Sequence, residues 1–510
     1  MKKVISLLLA TILLFSCAST AFAANGCTCD VSPVIYIRGF GETLYLHPGA
    51  ENEEEAMNLS TDAIVSCVPD LLIALTAKSK GNSDSAIAHL EKVADKLVGK
   101  IACDKNGNSL YDVGIEKSEL PTEDNHQSLS YGFAKKIEGV ENAEFDFNYD
   151  WRLDPFKNTA DLKEFVEYIK ELTGHEKVSF AAHSQGNTLV ATYLAQYGSS
   201  DIDKILFLSP AYQGVGVASA LFAGEADISD KGDELIVLID NLLGEQVYGK
   251  MVSVLMEALV KKGFVDTILD DAQALLDDDF KKIYSEYVLD LLGTMPGFWS
   301  FCDEERYEAA LEFSFAEKTG YDGLIAKIKN YHENVQRKLT DLIDEAIANG
   351  VEIAIGCGYG RTSIPIGYSD VCHSDTTIET KYMSIGATCA PLGETLSEEY
   401  IGSLATTDYL SPDREIDAST CAYPEYTWFV KNQEHSTYYD SYREWMTWVL
   451  TFDGQPTVHS DAAYPQFKEY EEGDIVPVEE PENKTEQTLL QKFLAALFEI
   501  ITALFGNLFN

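Results

Sequence analysis

The hydrophobic residues of the chain fall into short continuous runs separated by longer stretches of helical periodicity. Six runs have the length and composition of buried strands: PVIYIR (33–38), FDFNY (145–149), KVSFAA (177–182), KILFLS (204–209), VEIAIG (351–356) and YTWFV (426–430). Helical periodicity is found at 86–98, at 159–172 and after Gly186. Strands that alternate with helices predict an α/β fold, in which helices cover both faces of a mostly parallel sheet.

The pattern changes between residues 214 and 349, where amphipathic helices predominate. This change predicts a helical cap inserted into the α/β core, which divides the core into residues 24–213 and 350–451. Residues 50–115 form a smaller excursion within the first part of the core. Cys67 and Cys103 lie in it, and we expect them to close it as a disulfide loop.

The chain after the core has two further segments. Residues 452–487 are rich in Pro and Glu and predict an acidic linker. Residues 488–510 predict an amphipathic helix, since apolar residues recur at helical spacing with Lys492 and Glu499 on the opposite face. The charge of Glu499 and the short length argue against a transmembrane span. Two interpretations stay open: a helix that docks on protein, or one that lies at a membrane interface.

The amino terminus predicts export. Two lysines, an apolar stretch at 4–15 and an A-x-A site at 21–23 make residues 1–23 a signal peptide of bacterial type, so we expect a secreted or cell-envelope protein. A lipoprotein signal ending at Cys17 is the rival interpretation, but Phe15 is bulky for that context. Nine of the ten cysteines remain after cleavage, and in an oxidising compartment most of them should pair.

Composition excludes two classes of protein. The net charge of −45, from 83 acidic and 38 basic residues, argues against a nucleic-acid partner. A hydrophobic fraction of 45% excludes a disordered acidic polymer. The acidity should also keep the core off anionic bilayers, so any membrane contact of residues 488–510 would depend on apolar area.

Residues 182–186, Ala-His-Ser-Gln-Gly, lie where a predicted strand meets a predicted helix. A nucleophile elbow is a sharp turn at such a junction, and it needs small residues two positions before and after the serine, here Ala182 and Gly186. Ser184 is therefore the candidate nucleophile. We expect the backbone N–H groups of Gln185 and of Phe40, in the glycine turn after the first strand, to form the oxyanion hole. This chemistry needs no metal and no organic cofactor.

Two other motifs are assigned structural roles. Asp104 begins a segment that resembles a calcium loop, but Ile115 occupies the position that requires a bidentate carboxylate, so the segment predicts a turn. Asp150 and Arg152 lie between a strand and a proline, and we expect them to form an ion pair that shapes the cleft.

Four segments, in this order, resemble the lecithin:cholesterol acyltransferase and lysosomal phospholipase family of α/β hydrolases: PVIYIRGFGE (33–42), YDWRLDP (149–155), AAHSQGN (181–187) and SPAYQGVGVASALFAGE (209–225). The resemblance covers most of residues 33–450 and is weak through the cap. It implies an α/β-hydrolase fold, a lipid-type acyl ester as substrate, and Phe40 as the oxyanion-loop residue. Arg38 stands where the family usually has proline.

The resemblance places the acid and the base after the cap, in the order Ser, Asp, His, with the acid in an Asp-x-x-Val type pattern. Asp413 fits this pattern, but the glycine-rich run that usually surrounds the acid is missing, so Asp417 stays a rival. His435 follows the last predicted strand, where an α/β hydrolase carries its histidine. His373 and His459 fit that position less well.

The resemblance also implies a disulfide between Cys357 and Cys421, which would clamp the acid-bearing loop. The combined expectation is a secreted serine ester hydrolase that forms an acyl-enzyme on Ser184. Three alternatives stay open. They are an O-acyltransferase that passes the acyl group to a lipid alcohol, a peptidase with the same triad, and a non-catalytic envelope protein that binds lipid or a partner.

Overall fold

The computed structural model describes residues 31–115, 144–225, 280–363, 372–436 and 440–480, with short gaps between 42 and 79 and between 472 and 479. The predicted signal peptide, cap residues 226–279 and the predicted C-terminal helix at 488–510 lie outside the described residues.

An eight-stranded sheet forms the core. Its strands in chain order are β1 (Val34–Ile37), β2 (Glu144–Phe147), β3 (Val178–His183), β4 (Ile202–Leu208), β5 (Glu352–Tyr359), β6 (Thr427–Lys431), β7 (Phe467–Glu471) and β8 (Asp474–Pro477). They lie side by side in the order β8-β7-β6-β5-β4-β3-β1-β2. All neighbours are parallel except β7 and β8. The predicted mostly parallel sheet is confirmed, and each of the six predicted runs overlaps one strand.

Strands β7 and β8 lie inside the segment that the sequence predicted as a linker, 452–487. The sequences of β7 (FKEYE) and β8 (DIVP) mix charged and apolar residues, and parts of both strands are exposed. Charged side chains are typical of edge strands, where they discourage pairing with another chain. The acidic composition therefore marks a sheet edge over residues 467–477.

Eleven α-helices are described. In chain order they are α1 (Ser83–Val98), α2 (Pro155–Thr173), α3 (Gly186–Tyr197), α4 (Gly216–Ala223), α5 (Pro296–Trp299), α6 (Tyr307–Phe315), α7 (Asp322–Asn334), α8 (Leu339–Ala348), α9 (Thr380–Met383), α10 (Glu398–Ser403) and α11 (Asp440–Thr451). A π-helical segment, Tyr284–Gly293, precedes α5. None of the helices in the described part of the chain is long and apolar enough to cross a membrane.

Alternate residues of the inner strands β1, β3, β4, β5 and β6 point into two separate hydrophobic cores. In β1, Ile35 and Ile37 belong to the larger core, together with apolar residues of α2, α3 and α8. Val34 and Tyr36 belong to the smaller core, which α11 covers. All four positions are buried, as expected for a parallel sheet with helices on both faces.

The described residues of the predicted cap are helical and have a core of their own. Helix α4, the π-helical segment and helices α5 to α7 contribute to one apolar cluster, which includes Phe222, Tyr284, Trp299, Tyr307 and Leu324. These elements lie between β4 and β5 in the chain, where the cap was predicted.

Arg152 connects the excursion at 50–115 to the core. Its guanidinium binds both oxygens of Asp150, at 2.9 and 2.6 Å, and donates to the carbonyl oxygens of Ile101 and Val113. The predicted structural ion pair is thus present. Arg152 is fully buried, and since a buried guanidinium needs several acceptors, the pair fixes both segments.

The excursion is closed by backbone pairing. Two short strands, Leu44–Leu46 and Val113–Ile115, pair antiparallel across it, and Cys67 and Cys103 are free thiols, so the expected disulfide is not formed. The carboxylate of Asp104 accepts the N–H groups of Asn106 and Asn108, at 2.8 and 3.0 Å, which makes the predicted turn.

A charge cluster joins helices α2 and α3 to the start of β4. The carboxylate of Asp201 accepts hydrogen bonds from Lys163 at 2.5 Å, Lys170 at 2.6 Å and the hydroxyl of Tyr193 at 2.9 Å. Burial alone would raise the pKa of Asp201, but these three donors lower it to about 2. The ionised carboxylate therefore stabilises the fold.

We predict that Asp201→Asn lowers the free energy of unfolding by about 1–3 kcal/mol near neutral pH, because two ammonium groups lose their charged acceptor. The pKa of Asp201 is lower in the folded protein than its ordinary value of 3.8. The difference in free energy of unfolding between the wild type and Asp201→Asn should thus be complete above about pH 4 and should shrink as the pH falls toward 2. Urea unfolding of both proteins at several pH values measures it, and a difference that does not change with pH would contradict the assignment.

Candidate active site

Ser184 lies in a sharp turn between β3 and α3. Its backbone φ is +54°, in the left-handed region that residues other than glycine rarely adopt. Gly186 packs directly on the end of β1, where an added Cβ would lie 2.3 Å from the carbonyl oxygen of Ile37. Ala182, two residues before the serine, is fully buried, and its side chain is small enough for the turn. This geometry is that of the expected elbow.

Ser184, His435 and Asp375 form a continuous chain of hydrogen bonds. The Ser184 Oγ lies 2.9 Å from the His435 Nε2, and the His435 Nδ1 lies 2.7 Å from the Asp375 Oδ2. The three residues follow β3, β6 and β5. Because the carboxyl ends of parallel strands meet at one edge of the sheet, residues far apart in sequence converge there.

Asp375 is held in place by its own loop. The backbone N–H groups of Thr377 and Ile378 donate to its Oδ1, at 3.1 and 2.8 Å, and the N–H of His435 donates to its carbonyl oxygen at 2.9 Å. Burial alone would raise the pKa of Asp375, but His435 and these N–H groups outweigh it and hold the pKa below its ordinary value. The carboxylate is therefore ionised beside the imidazole.

Asp413, the acid expected from the resemblance, is not the partner of His435. Its carboxylate binds the Lys431 ammonium at 2.8 Å, the Tyr359 hydroxyl at 3.0 Å and the Ser411 hydroxyl at 2.6 Å. Lys431 at the end of β6 thus neutralises Asp413 in a partly buried ion pair. The prediction is corrected to Asp375.

The rival Asp417 is also engaged elsewhere. Its carboxylate accepts the hydroxyl of Tyr400 and the N–H of Ser419, both at 2.9 Å. A signal for Asp375 was present in the sequence, because Asp375-Thr376-Thr377-Ile378 fits the Asp-x-x-apolar pattern as well as residues 413–416 do. Asp375 also follows β5 at a shorter distance in sequence than Asp413 does.

His183, which the sequence analysis assigned no role, supports the base. Its Nε2 donates to the carbonyl oxygen of His435 at 2.7 Å. Burial, followed by the effect of the neighbouring His435, lowers the pKa of His183 to about 3. The ring is therefore neutral, with its proton on Nε2, and it fixes the backbone that carries the His435 imidazole.

Arg361 links the loop that carries Asp375 to the loop that carries His435. Its Nε donates to the carbonyl oxygen of Asn432 at 2.6 Å, and its guanidinium pairs with Glu434 at 3.2 Å, next to His435. Its own carbonyl oxygen accepts the hydroxyl of Ser374, the residue before Asp375. These contacts hold the loop of Asp375 against the loop of His435.

Cys357 and Cys421, the expected disulfide pair, are free and buried. Burial raises the pKa of both thiols, that of Cys421 to about 12. The described residues include no group of three or more His, Cys, Asp or Glu side chains arranged to hold a metal ion.

The expected oxyanion donors flank Ser184. Gly39 approaches Ser184 so closely that an added Cβ would lie 2.7 Å from the serine Cβ, which brings the following residue, Phe40, to the site. Among the described residues, neither the Phe40 N–H nor the Gln185 N–H is engaged in a hydrogen bond. Both donors are thus free to bind a developing oxyanion.

Aromatic side chains lie beside this edge of the sheet. The Phe40 ring is 48% exposed. It packs on Trp151 at 4.3 Å and contacts two cap residues, Phe298 at 5.9 Å and Phe301 at 6.2 Å, between ring centroids. We call Phe40, Phe298 and Phe301 the aromatic wall.

A family model agrees with this architecture. Residues 121–230, which contain the elbow, match the model of a family described as having the alpha/beta hydrolase fold. None of the curated proteins compared with the chain matches it. A solved structure, that of the Tle4-Tli4 complex, aligns over 65% of this chain and 75% of its own with 9% identity and a TM-score of 0.25. The family match and the topology of the sheet give the chain the α/β-hydrolase fold.

Proposed function

We propose that the protein is a serine ester hydrolase that acts on lipid-type acyl esters through an acyl-enzyme on Ser184. The observation that carries the proposal is the hydrogen-bonded chain from Ser184 through His435 to Asp375. A serine beside a neutral imidazole, which a buried carboxylate orients, is the arrangement that activates a hydroxyl as nucleophile.

Each residue has a defined role in the proposed reaction. Asp375 keeps a proton on the Nδ1 of His435, so the Nε2 can accept the proton of the Ser184 Oγ as that oxygen attacks the ester carbonyl. The N–H groups of Phe40 and Gln185 stabilise the oxyanion. His435 then gives its proton to the leaving alcohol, and water attacks the acyl-enzyme in the reverse sequence of proton transfers.

The aromatic wall supports an apolar acyl group. Phe40 supplies an oxyanion donor through its backbone and an exposed ring through its side chain, so the acyl carbons nearest the bound carbonyl lie next to that ring. Phe298 of the cap extends the apolar surface away from it, and the buried Phe301 packs against both rings. An acyl chain placed there exchanges water for aromatic contact, which favours binding.

An O-acyltransferase activity is the second candidate. It uses the same acyl-enzyme and differs only in the acceptor, a lipid alcohol in place of water, and the resemblance of residues 33–42, 149–155 and 181–187 to acyltransferases favours it. Competition between water and a long-chain alcohol, measured as the ratio of free acid to new ester, separates the two activities.

The signal-like residues 1–23 support action outside the cytoplasm.

We predict that a fluorophosphonate probe labels the wild-type protein and does not label Ser184→Ala, because the probe reacts only with an activated serine. Labelling is read by gel fluorescence and by mass spectrometry of the modified peptide. A wild-type protein that stays unlabelled would contradict the enzyme proposal and would favour the non-catalytic alternative.

We predict that Asp375→Asn lowers kcat by about 10³–10⁴-fold, because the amide no longer fixes the imidazole tautomer that accepts the serine proton. Asp413→Asn is the matched control: it removes a buried carboxylate that binds Lys431, and its kcat should stay within about threefold of the wild-type value while its Tm falls. Steady-state hydrolysis of p-nitrophenyl butyrate gives both values. The reverse ranking of the two variants would restore Asp413 as the acid.

We predict that Phe298→Ala raises KM for p-nitrophenyl esters of long acyl chains by about tenfold and changes KM for the acetate little, because the lost contact area is worth about 1–2 kcal/mol only to a chain that reaches it. Phe313→Ala is the matched control, since Phe313 packs within the cap against Tyr284. Equal effects on short and long esters would argue against the aromatic wall as the acyl site.

A further inference from the structure

The side chain of Gln185 connects the elbow to the cap. It is 1% exposed, and its Nε2 donates two hydrogen bonds, to the carbonyl oxygen of Trp151 at 3.0 Å and to that of Gly297 at 2.9 Å. Both partners are carbonyl oxygens, so the orientation of the amide is fixed. One partner belongs to the core and the other to helix α5 of the cap.

The backbone of helix α5 also binds the core directly. The N–H of Gly297 donates to the carbonyl oxygen of Arg152 at 2.9 Å. An added Cβ on Gly297 would lie 2.1 Å from the carbonyl oxygen of Trp151, so only glycine permits this approach. The receiving backbone is rigid, since the ion pair of Arg152 with Asp150 anchors it.

The same helix touches the second oxyanion residue. Phe298 follows Gly297 directly, and its ring contacts that of Phe40. Helix α5 thus binds Gln185 through a hydrogen bond and Phe40 through an aromatic contact. The two residues whose N–H groups form the proposed oxyanion hole are the two that this helix engages.

The backbone at Ser184 is strained, and this strain explains why the Gln185 side chain needs to be held in place. A left-handed serine persists only where its surroundings hold it, and the peptide between Ser184 and Gln185 carries one of the oxyanion donors. Rotation of that peptide would move the N–H away from the oxyanion. A buried Gln185 side chain fixed at two points prevents such rotation.

We propose that Gln185 is a positioning residue whose side chain lets helix α5 of the cap set the direction of the oxyanion-binding N–H. The inference rests on the proposed ester hydrolase function and adds a coupling between the cap and the reaction centre. Displacing α5 should weaken stabilisation of the transition state while ground-state binding of a short ester is retained.

Two variants test the coupling from opposite sides. Gln185→Met keeps the length of the side chain and removes both donors, and Gly297→Ala forces α5 away from Trp151. Ser300→Ala is the matched control, because it removes another hydrogen bond to the Gly297 carbonyl and leaves Gln185 intact. Each is assayed for kcat and KM with p-nitrophenyl acetate, and for inhibition by an alkyl trifluoromethyl ketone, whose serine adduct carries an oxyanion.

We expect both test variants to lose about 10–100-fold in kcat and a similar factor in affinity for the ketone, with KM nearly unchanged. The double variant should lose little more than either single variant, because both changes break one connection. Ser300→Ala should behave as wild type.

A merely structural role predicts another result. If Gln185→Met and Gly297→Ala lower Tm but keep kcat and ketone affinity within threefold, the coupling is refuted, and additive losses in the double variant refute it as well. If one variant does not fold, the other decides by the same criteria. Failure of the underlying function is distinguishable, because the wild-type protein would then neither hydrolyse the ester nor bind the ketone.

Discussion

The close contact between the elbow and the end of β1 is the constraint on which the rest of the site depends. Gly186 packs on the carbonyl oxygen of Ile37, and Gly39 packs on the side chain of Ser184. A left-handed serine costs roughly 1–3 kcal/mol, so its surroundings must supply that free energy. Hydrogen bonds from the Ser184 N–H to Leu208 and from the Asn187 side chain to the Ser184 carbonyl do so. Ser184 is thus positioned by contacts with the backbone of β1 and β4 and with the Asn187 side chain.

The acid and the base reach the serine because of how the sheet is built. Strands β5 and β6 are parallel neighbours, so the loops after them begin side by side. Arg361 and His183 then join these loops to each other and to the elbow through backbone carbonyl oxygens. A neutral His183 suits this task, because a second imidazolium against His435 would oppose the protonation that the proposed reaction requires.

The sequence predicted the parts of this structure that depend on local patterns. Strands β1, β3, β4, β5 and β6 lie inside the sheet and read as apolar runs, and the edge strand β2 keeps alternating phenylalanines, whereas β7 and the edge strand β8 carry charges and were predicted as a linker. Ser184 was identifiable because an elbow needs small neighbours at fixed spacing. Asp375 was harder to identify, because Asp375 and Asp413 share a local pattern, and the structure separates them by the Lys431 ammonium that pairs with Asp413.

That distinction has an electrostatic basis. An acid that supports a catalytic histidine must stabilise the imidazolium that forms when the serine proton is taken. The charge of Asp413 is already compensated by Lys431, which also pairs with Glu415. Asp375 instead is hydrogen-bonded to the His435 imidazole and has two backbone N–H groups as neutral donors, so its charge acts on the imidazole at a buried position. Asp413, bound by Lys431, therefore suits a role in stability, and Asp375, bound by His435 beside the strained Ser184, suits the role of acid in the proposed reaction.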